Sequence, residues 1–315
     1  MIAFILRRIA YIIPVMLIAS FGIFALLRLG GSDPIAQYLI LSNLPSTPET
    51  IASLRKEFGL DKPLLAQYVL WLQKAVILDF GSSYMSGRPV AEDFFAFLPT
   101  TLLLVGLGVV VIIVVSVPLG IVSAHYRDKI PDFLVRFFCF VGVCMPNFWF
   151  AFLLVWAFAI TLAWLPAVGA DSLSSFILPT LSIALMSSCV NTRLIRANML
   201  ETSKERHITY ATLRHLSQKT ILLKHNFLTA ILPIITAFGM HIGELIGGAL
   251  VVESIFALPG IGLYCIQGIA NHDYPVIQCF VVVMCLIFTI SNLIIDIIYA
   301  YLDPRIYKLL QEAKQ

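Results

Sequence analysis

Residues 191 to 233 read NTRLIRANMLETSKERHITYATLRHLSQKTILLKHNFLTAILP, a polar and basic stretch between two strongly apolar segments. From residue 193 to residue 225 it carries seven lysines and arginines, against the two acids Glu201 and Glu205. Basic residues are retained on the cytoplasmic side of a membrane, so a membrane protein would expose this segment there. We call residues 193 to 225 the basic island, and we expect a cytoplasmic partner to dock on it.

Composition places the chain among integral membrane proteins. Of its 315 residues 59% are hydrophobic and 12% are charged, whereas a soluble domain is roughly 45 to 50% apolar. The net charge of +3 is small and does not indicate a nucleic-acid partner. The six cysteines form no C-x-x-C pair and no zinc-type spacing, so we expect neither a disulfide framework nor a cysteine metal site.

Six segments are long and apolar enough to cross a bilayer, which takes about 20 residues. They are residues 9 to 29, 99 to 124, 134 to 162, 176 to 192, 228 to 252 and 276 to 301. The first is longer than the apolar region of a signal peptide and lacks a small-residue cleavage site, so it is predicted to be retained. The predicted organisation is an N-terminal transmembrane helix at 1–29, a periplasmic helical segment at 30–98, a five-helix core at 99–301 and a tail at 302–315.

The distribution of basic residues sets the predicted orientation. Placing the N-terminus inside puts fifteen of the 21 lysines and arginines in the cytoplasm. The short outer loops at 163–175 and 253–275 then contain neither residue. The chain is therefore predicted to be a multi-pass protein with both termini cytoplasmic.

The outer segment at 30–98 carries two amphipathic runs. Thr47 and Pro48 form a helix start, since threonine can cap and proline suits a first turn, and the run that follows ends at Gly59. The second run, PLLAQYVLWLQKAVILDFG, ends at Gly81. The segment is either a docking surface for an external partner or a helical cap that lies on the membrane.

Motifs for catalysis are absent from the sequence. It contains no G-x-x-x-x-G-K-[ST] phosphate loop, so the chain does not bind and hydrolyse ATP by that route. Neither H-E-x-x-H nor G-x-S-x-G occurs, which argues against a membrane protease or esterase. We expect a protein that is not an enzyme in its own right.

Several stretches, in order along nearly the whole chain, resemble the permease subunits of bacterial nickel, dipeptide and oligopeptide ABC importers. They are LRRIAYIIPVMLIAS, LGGSDP, FGSSY, VPLGI, MPNFW, the basic island and GGALVVESIFALPGIGLYCIQGIANHDYPVIQ. The resemblance implies an all-α membrane protein with six transmembrane helices of the type I ABC importer (MetI-like) fold. It also implies a bacterial inner-membrane location, a homologous second permease subunit, two ATP-binding subunits and a periplasmic or surface substrate-binding protein.

In this family the basic island corresponds to an EAA-like coupling loop, here at about 193–227, whose helix docks on the ATPase. The resemblance assigns that role to Glu205, Tyr210, Ala211, Arg214 and His215. The glycine usual after the helix is replaced by His215, so we expect a turn built without a residue that readily takes positive φ. The alternative is that the basic residues only contact anionic membrane lipid.

The fifth predicted span holds the best indication of cargo. His241 and Glu244 lie three residues apart, so they share a helical face, next to Met240. Ionisable groups inside a span usually face a cavity or a partner, which predicts a translocation path. Imidazole and carboxylate suit a nickel ion. The sequence MHIGELIGG also resembles that of nickel permeases. The predicted cargo is therefore nickel, bare or chelated.

Other interpretations remain open. His241 and Glu244 could instead pair with each other or with the sister subunit, and the cargo could be a dipeptide or oligopeptide. A self-contained carrier or channel, which needs no ATP, is a third possibility. His272 and Asp273 are predicted at the outer mouth, where they could meet a cation. No cofactor is expected on this chain, because ATP would be used by the partner subunits.

Overall fold

The computed structural model describes residues 2–30, 34–42, 45–57 and 59–302, and these are helical with no β-strand. The helices in chain order are α1 (Ile2–Leu29), α2 (Pro34–Ser42), α3 (Pro48–Glu57), α4 (Leu64–Val76), α5 (Val90–His125), α6 (Ile130–Cys144), α7 (Asn147–Leu154), α8 (Ile177–Thr202), α9 (Arg206–Leu213), α10 (Gln218–Thr220), α11 (Leu228–Ile255), α12 (Ile261–Ala270) and α13 (Tyr274–Leu302). Two π-helices, Val155–Thr161 and Ile221–Phe227, and a 3-10 turn, Leu173–Phe176, complete the set.

Four helical segments of the described chain are long and apolar enough to cross a membrane: Leu6–Leu29, Val90–His125, Leu173–Thr202 and Tyr274–Ile298. A bent pair, Ile130–Cys144 with Asn147–Thr161, makes a fifth if its two helices form one span. The remaining predicted span, 228 to 252, falls in α11, where the side chains of 232, 233 and 236–240 lie outside the described residues. The all-α membrane fold expected from the sequence is therefore confirmed.

The predicted span at 134 to 162 is not one straight helix. Its two halves meet at an angle of 105°. The break lies at Met145, which has φ −92° and ψ 121° and is extended. Pro146 causes the break, because its ring disfavours the helical conformation of the residue before it and it has no N–H to donate.

Helix α8 runs ten residues further than the span predicted at 176 to 192, and so enters the basic island. Residues 193 to 202 contain no glycine or proline, and most of them favour helix. Ile195 and Met199 on this extension are fully buried, in a cluster with Ala230 and Ile234 of α11. The first part of the basic island is therefore packed helix and not loop.

Close approach of α6, α5 and α8 depends on two glycines. A Cβ on Gly142 would overlap the Cys189 sulfur, and a Cβ on Gly120 would overlap the side chain of Ile195. Small residues at such positions let membrane helices pack backbone to backbone. These contacts belong to one compact unit, which contains residues 103–257 and 290–302.

The second compact unit consists of residues 2–102 and 258–289. In it α3 starts as the sequence predicts, because the Thr47 hydroxyl accepts a hydrogen bond from the Thr50 N–H at 3.2 Å. Gly59 follows the helix at φ 65°. The predicted cap and the predicted end of this run are both confirmed.

Helix α4 packs on α1 through Tyr68, whose hydroxyl lies 2.9 Å from the Ser20 hydroxyl. Beside the face that packs on α1, the helix carries an exposed apolar stripe of Leu65, Val69 and Val76, which are 65%, 50% and 75% exposed. An amphipathic helix with an apolar outer stripe is typical of a segment that lies at a membrane surface. This feature favours the cap interpretation of the outer segment.

Candidate translocation site and coupling surface

His241 and Glu244 of α11 form a close polar pair. The His241 Nδ1 atom lies 2.7 Å from Glu244 Oε2. The Ser187 hydroxyl of α8 donates to the same oxygen at 3.4 Å. The structure thus has the pairing that the sequence left as an alternative, and it adds a third partner from a neighbouring helix.

The two members of this pair differ in exposure. The His241 side chain is 7% exposed and that of Glu244 is 56% exposed. If Glu244 is ionised, Nδ1 of His241 must carry the proton that it shares. His241 therefore orients a carboxylate that remains open on its other side.

The predicted metal ligands form only part of a metal site. No three histidines, cysteines or acids in the described part of the chain come together as a metal site. His241 and Glu244 supply two ligand side chains, and the side chain of Met240 lies outside the described residues. The assignment of these three residues to a translocation path, and of His241 and Glu244 to a metal ion, stays a prediction.

Helix α9 of the basic island has a buried face and an exposed face. The buried face packs on the π-helix that precedes α11, in a small core of Ile208, Ala211, Leu216 and Ile221. On the opposite side Tyr210 is 64% exposed and Leu213 is 68% exposed. Exposed large apolar side chains beside arginines are typical of the centre of a protein interface.

The five residues predicted to couple to an ATPase divide between these two faces. Tyr210 and Arg214 lie on the exposed face, whereas Ala211 is buried. Glu205 precedes the first turn and lies 3.2 Å from His207 in an exposed pair. Ala211 therefore supports α9 from beneath, while Tyr210 and Arg214 are free to contact a partner.

The turn after α9 is built around His215, which has φ 54°. The His215 N–H donates to the Thr212 carbonyl and the Leu216 N–H donates to the Ala211 carbonyl. This pair of bonds is the Schellman ending of a helix, in which the residue at positive φ is normally glycine. The turn therefore has positive φ although its residue is not glycine, because His215 takes the left-handed conformation itself.

His215→Gly is expected to stabilise this turn. A residue other than glycine pays roughly 1 kcal/mol for the left-handed conformation, and glycine loses part of that gain through its freer unfolded chain. We expect the amides of 215 and 216 to exchange hydrogen up to about fivefold more slowly in the purified complex, measured by mass spectrometry. Arg214→Gly is the matched control, since Arg214 has φ −80°; equal or faster exchange in His215→Gly than in this control would contradict the prediction.

The predicted outer-mouth residues separate in the structure. His272 is exposed, whereas Asp273 is 1% exposed. The Ser83 hydroxyl donates to Asp273 at 2.6 Å, and the Met85 N–H donates to the same oxygen at 3.2 Å. Asp273 therefore holds the FGSSY loop in place, and His272 is the member of the pair that faces outward.

Tyr84 of the FGSSY loop is buried in the same unit, next to Tyr274 and Ile277. Burial raises the pKa of the Tyr84 hydroxyl well above its ordinary value, and the charge of Arg28 opposes that shift. The hydroxyl is therefore neutral at any physiological pH. Two of the stretches that carry the family resemblance thus pack on each other.

Sequence reasoning missed Asp132, which is fully buried at the start of α6. Arg196 of α8 makes a two-pronged ion pair with it, at 2.7 and 2.8 Å. The Ser123 hydroxyl donates at 2.6 Å and the Asp128 N–H at 3.0 Å. An acid after Pro131 signals a helix start, but nothing in the sequence indicates the partner 64 residues away.

Comparison with known proteins yields two family models that match this chain. Residues 116–308 match the model of the binding-protein-dependent transport system inner membrane component. Residues 1–105 match the model of the N-terminal part of such membrane components.

Individual relatives match over almost their full length. The chain is 32% identical to the dipeptide transport system permease protein of Alkalihalophilus pseudofirmus, over 97% of this chain and 99% of that protein. It is 34% identical to the oligopeptide transport system permease protein of Bacillus subtilis, over 97% and 99%. It is 35% identical to the metal-staphylopine import system permease protein of Staphylococcus aureus, over 97% and 98%.

Proposed function

The chain belongs to the family of binding-protein-dependent transport system inner membrane components, the permease subunits of ATP-binding cassette importers, and we propose that its cargo is a short peptide. Membership implies an inner-membrane, multi-pass protein without an ATPase site of its own. It also implies a partner permease, ATP-binding subunits and a substrate-binding protein. Both termini in the cytoplasm, and ATP consumption by the partners alone, are parts of our proposal.

The observation that carries the cargo proposal is the half-exposed carboxylate of Glu244 in α11. An ionisable group within a membrane helix is costly unless it faces a cavity or a partner. An open carboxylate oriented by His241 suits the ammonium group of a peptide, through a charge-assisted hydrogen bond. The relatives named for dipeptide and oligopeptide transport support the same class of cargo.

The coupling step of this proposal runs from α9 to Glu244 through one continuous helical path. Helix α9 packs on Ile221, the first residue of the π-helix that leads without a break into α11. Twenty residues of helix, about 30 Å, separate Ile221 from His241. A partner that moves α9 would therefore displace the helix that carries Glu244.

The π-helix is the feature that would let this displacement occur. Such segments are rare and usually occur at functional sites, because their wider turns are less stable than α-helix. The His207 Nε2 atom lies 3.3 Å from the His225 carbonyl oxygen and braces α9 against this segment. We propose that ATP binding by the partners changes the geometry here.

Nickel, bare or as a chelate, is the second candidate cargo. The metal-staphylopine relative and the imidazole of His241 favour it. The names of the other relatives reported above favour peptide, so our nickel interpretation from the sequence becomes the alternative.

A cargo experiment separates the two candidates. The complete importer is produced in cells that lack other peptide and nickel importers, and uptake of a labelled dipeptide and of labelled nickel, with and without chelator, is measured. We expect ATP-dependent uptake of the peptide. Nickel uptake without peptide uptake would overturn the proposal in favour of the alternative.

Glu244→Gln is expected to lower peptide uptake about ten- to a hundredfold while leaving assembly intact. The substitution keeps the size of the side chain but removes the charge, and a hydrogen bond to a charged group is worth about 1.5 to 3 kcal/mol. Initial uptake rates, normalised to the amount of complete complex in the membrane, give the measurement.

Glu49→Gln is the matched control, since Glu49 is an exposed acid on α3, outside both the pair and the basic island. It should transport as the unmodified chain does. Unchanged uptake in Glu244→Gln, with a normal amount of complex, would show that Glu244 does not contact the cargo.

A further inference from the structure

An open groove of about 710 Å³ lies between α6 and α8, next to the Asp132 cluster. Three arginines line it, Arg136, Arg193 and Arg196, together with apolar side chains that include Phe140, Val190 and Leu194. All of these residues belong to the same compact unit. A groove with guanidinium groups beside an apolar wall suits a ligand that has both an anionic and a hydrophobic part.

The charges in this groove do not balance. Among the residues that the structure describes, Asp132 is the acid that forms ion pairs with these arginines, and Arg196 already engages both of its oxygens. Arg136 lies 3.7 Å from the same carboxylate with a side chain that is 48% exposed. Arg193 makes no ion pair within the described residues. One negative charge therefore faces three positive charges, and the groove has an excess of about two positive charges.

The arginines sit near helix ends that our proposed orientation places in the cytoplasm. Arg136 is six residues into α6, or roughly 9 Å along its axis. The neighbouring face of α6 is apolar and open, with Phe133, Phe137 and Phe140 exposed by 61%, 58% and 63%. A phospholipid whose anionic headgroup lies level with the arginines would thus have a continuous apolar surface beside its acyl chains.

We propose that this groove binds one anionic phospholipid of the inner leaflet. Its phosphate lies between Arg136 and Arg193, and one acyl chain follows Phe140 and Val190. Arg196 forms the floor of the site, and its ion pair with Asp132 keeps it in position. This assignment rests on the membrane orientation in our proposed function but not on the cargo. Basic pockets between helices on the cytoplasmic side commonly hold anionic headgroups.

The test titrates the purified importer complex in detergent with phosphatidylglycerol and with phosphatidylcholine, and counts bound lipid by native mass spectrometry. We expect one tight phosphatidylglycerol site per copy of this chain. Arg136→Gln combined with Arg193→Gln should weaken it roughly 30-fold, because each basic residue near an anionic lipid contributes about a factor of five. Arg136→Lys with Arg193→Lys should retain binding within a few fold, since both charges remain.

The matched control is Arg127→Gln combined with Lys129→Gln, which removes two exposed charges from the loop before α6. This control should bind phosphatidylglycerol as the unmodified chain does. An equal loss in the control would mean diffuse attraction and would overturn the site. Displacement of the lipid by excess inorganic phosphate would reveal a plain anion site and would also overturn it.

Two further outcomes would contradict the proposal. The double glutamine variant could bind phosphatidylglycerol normally, or the unmodified complex could show no preference for it, as expected if the sister subunit covers the groove. Neither measurement depends on transport, so a failure here is distinct from a failure of the cargo proposal.

Discussion

Tyr210→Asp combined with Leu213→Asp is expected to abolish transport by separating this chain from its ATP-binding partners. Both side chains lie on the exposed face of α9, at 64% and 68% exposure. Tyrosines buried at the centre of an interface are frequent hot spots, and replacing one costs about 2 kcal/mol or more of binding free energy. Two charges placed there should weaken docking at least roughly 100-fold.

The measurement is co-purification of the ATP-binding subunits with this chain, together with peptide uptake. Folding should survive, because the inner face of α9 keeps its core with Ile221. Val168→Asp is the control, since Val168 is 59% exposed in the predicted outer loop at 163–175, away from α9. Normal recovery of the ATP-binding subunits with the double variant would show that α9 is not the docking helix.

Asp132→Asn is expected to lower the free energy of unfolding more than any other single substitution proposed here. Removing one member of a buried ion pair costs about 3 to 5 kcal/mol, because the other charge stays in place without compensation. Arg196 would be that charge, at 19% exposure. The donors of Ser123 and Asp128 would also face a weaker acceptor, so the turn between α5 and α6 should loosen.

Thermal unfolding of the purified complex measures this effect. Asp128→Asn is the control, since Asp128 pairs with Arg127 at the surface and exposed pairs contribute about 0 to 1 kcal/mol. A double variant, Asp132→Leu with Arg196→Met, should lose less than Asp132→Asn, because it leaves no buried charge without a partner and the remaining Arg136 is 48% exposed. Equal stability of Asp132→Asn and Asp128→Asn would contradict the prediction.

Most of the membrane helices can be predicted from the sequence, because an apolar run of about 20 residues by itself indicates a helix that spans the membrane. The segments around residues 9–29, 99–124 and 276–301 are found within α1, α5 and α13. The bend at Met145 was also visible in principle, since Pro146 follows it. Its angle of 105° depends on how α6 and α7 each pack on α8.

The candidate site was only partly predictable. The spacing of His241 and Glu244 placed them on one face, since residues three apart on a helix are neighbours. Their unequal exposure and the contact with Ser187 depend on the approach of α8, which no local pattern encodes. The positive φ of His215 could not be predicted from its residue type, because histidine seldom takes that conformation, although glycine is usual at this position in the family.

The membrane class, the helical segments and the amphipathic character of α9 can be derived from the amino-acid sequence, since they follow from composition and spacing within one segment. Which distant groups meet becomes known only from the packing of the helices. Asp132 and Arg196 are separated by 64 residues, and Ser83 and Asp273 by 190. The physical reason is that a buried polar group takes its partner from whichever helix packs against it, and that choice is made by the fit of whole surfaces.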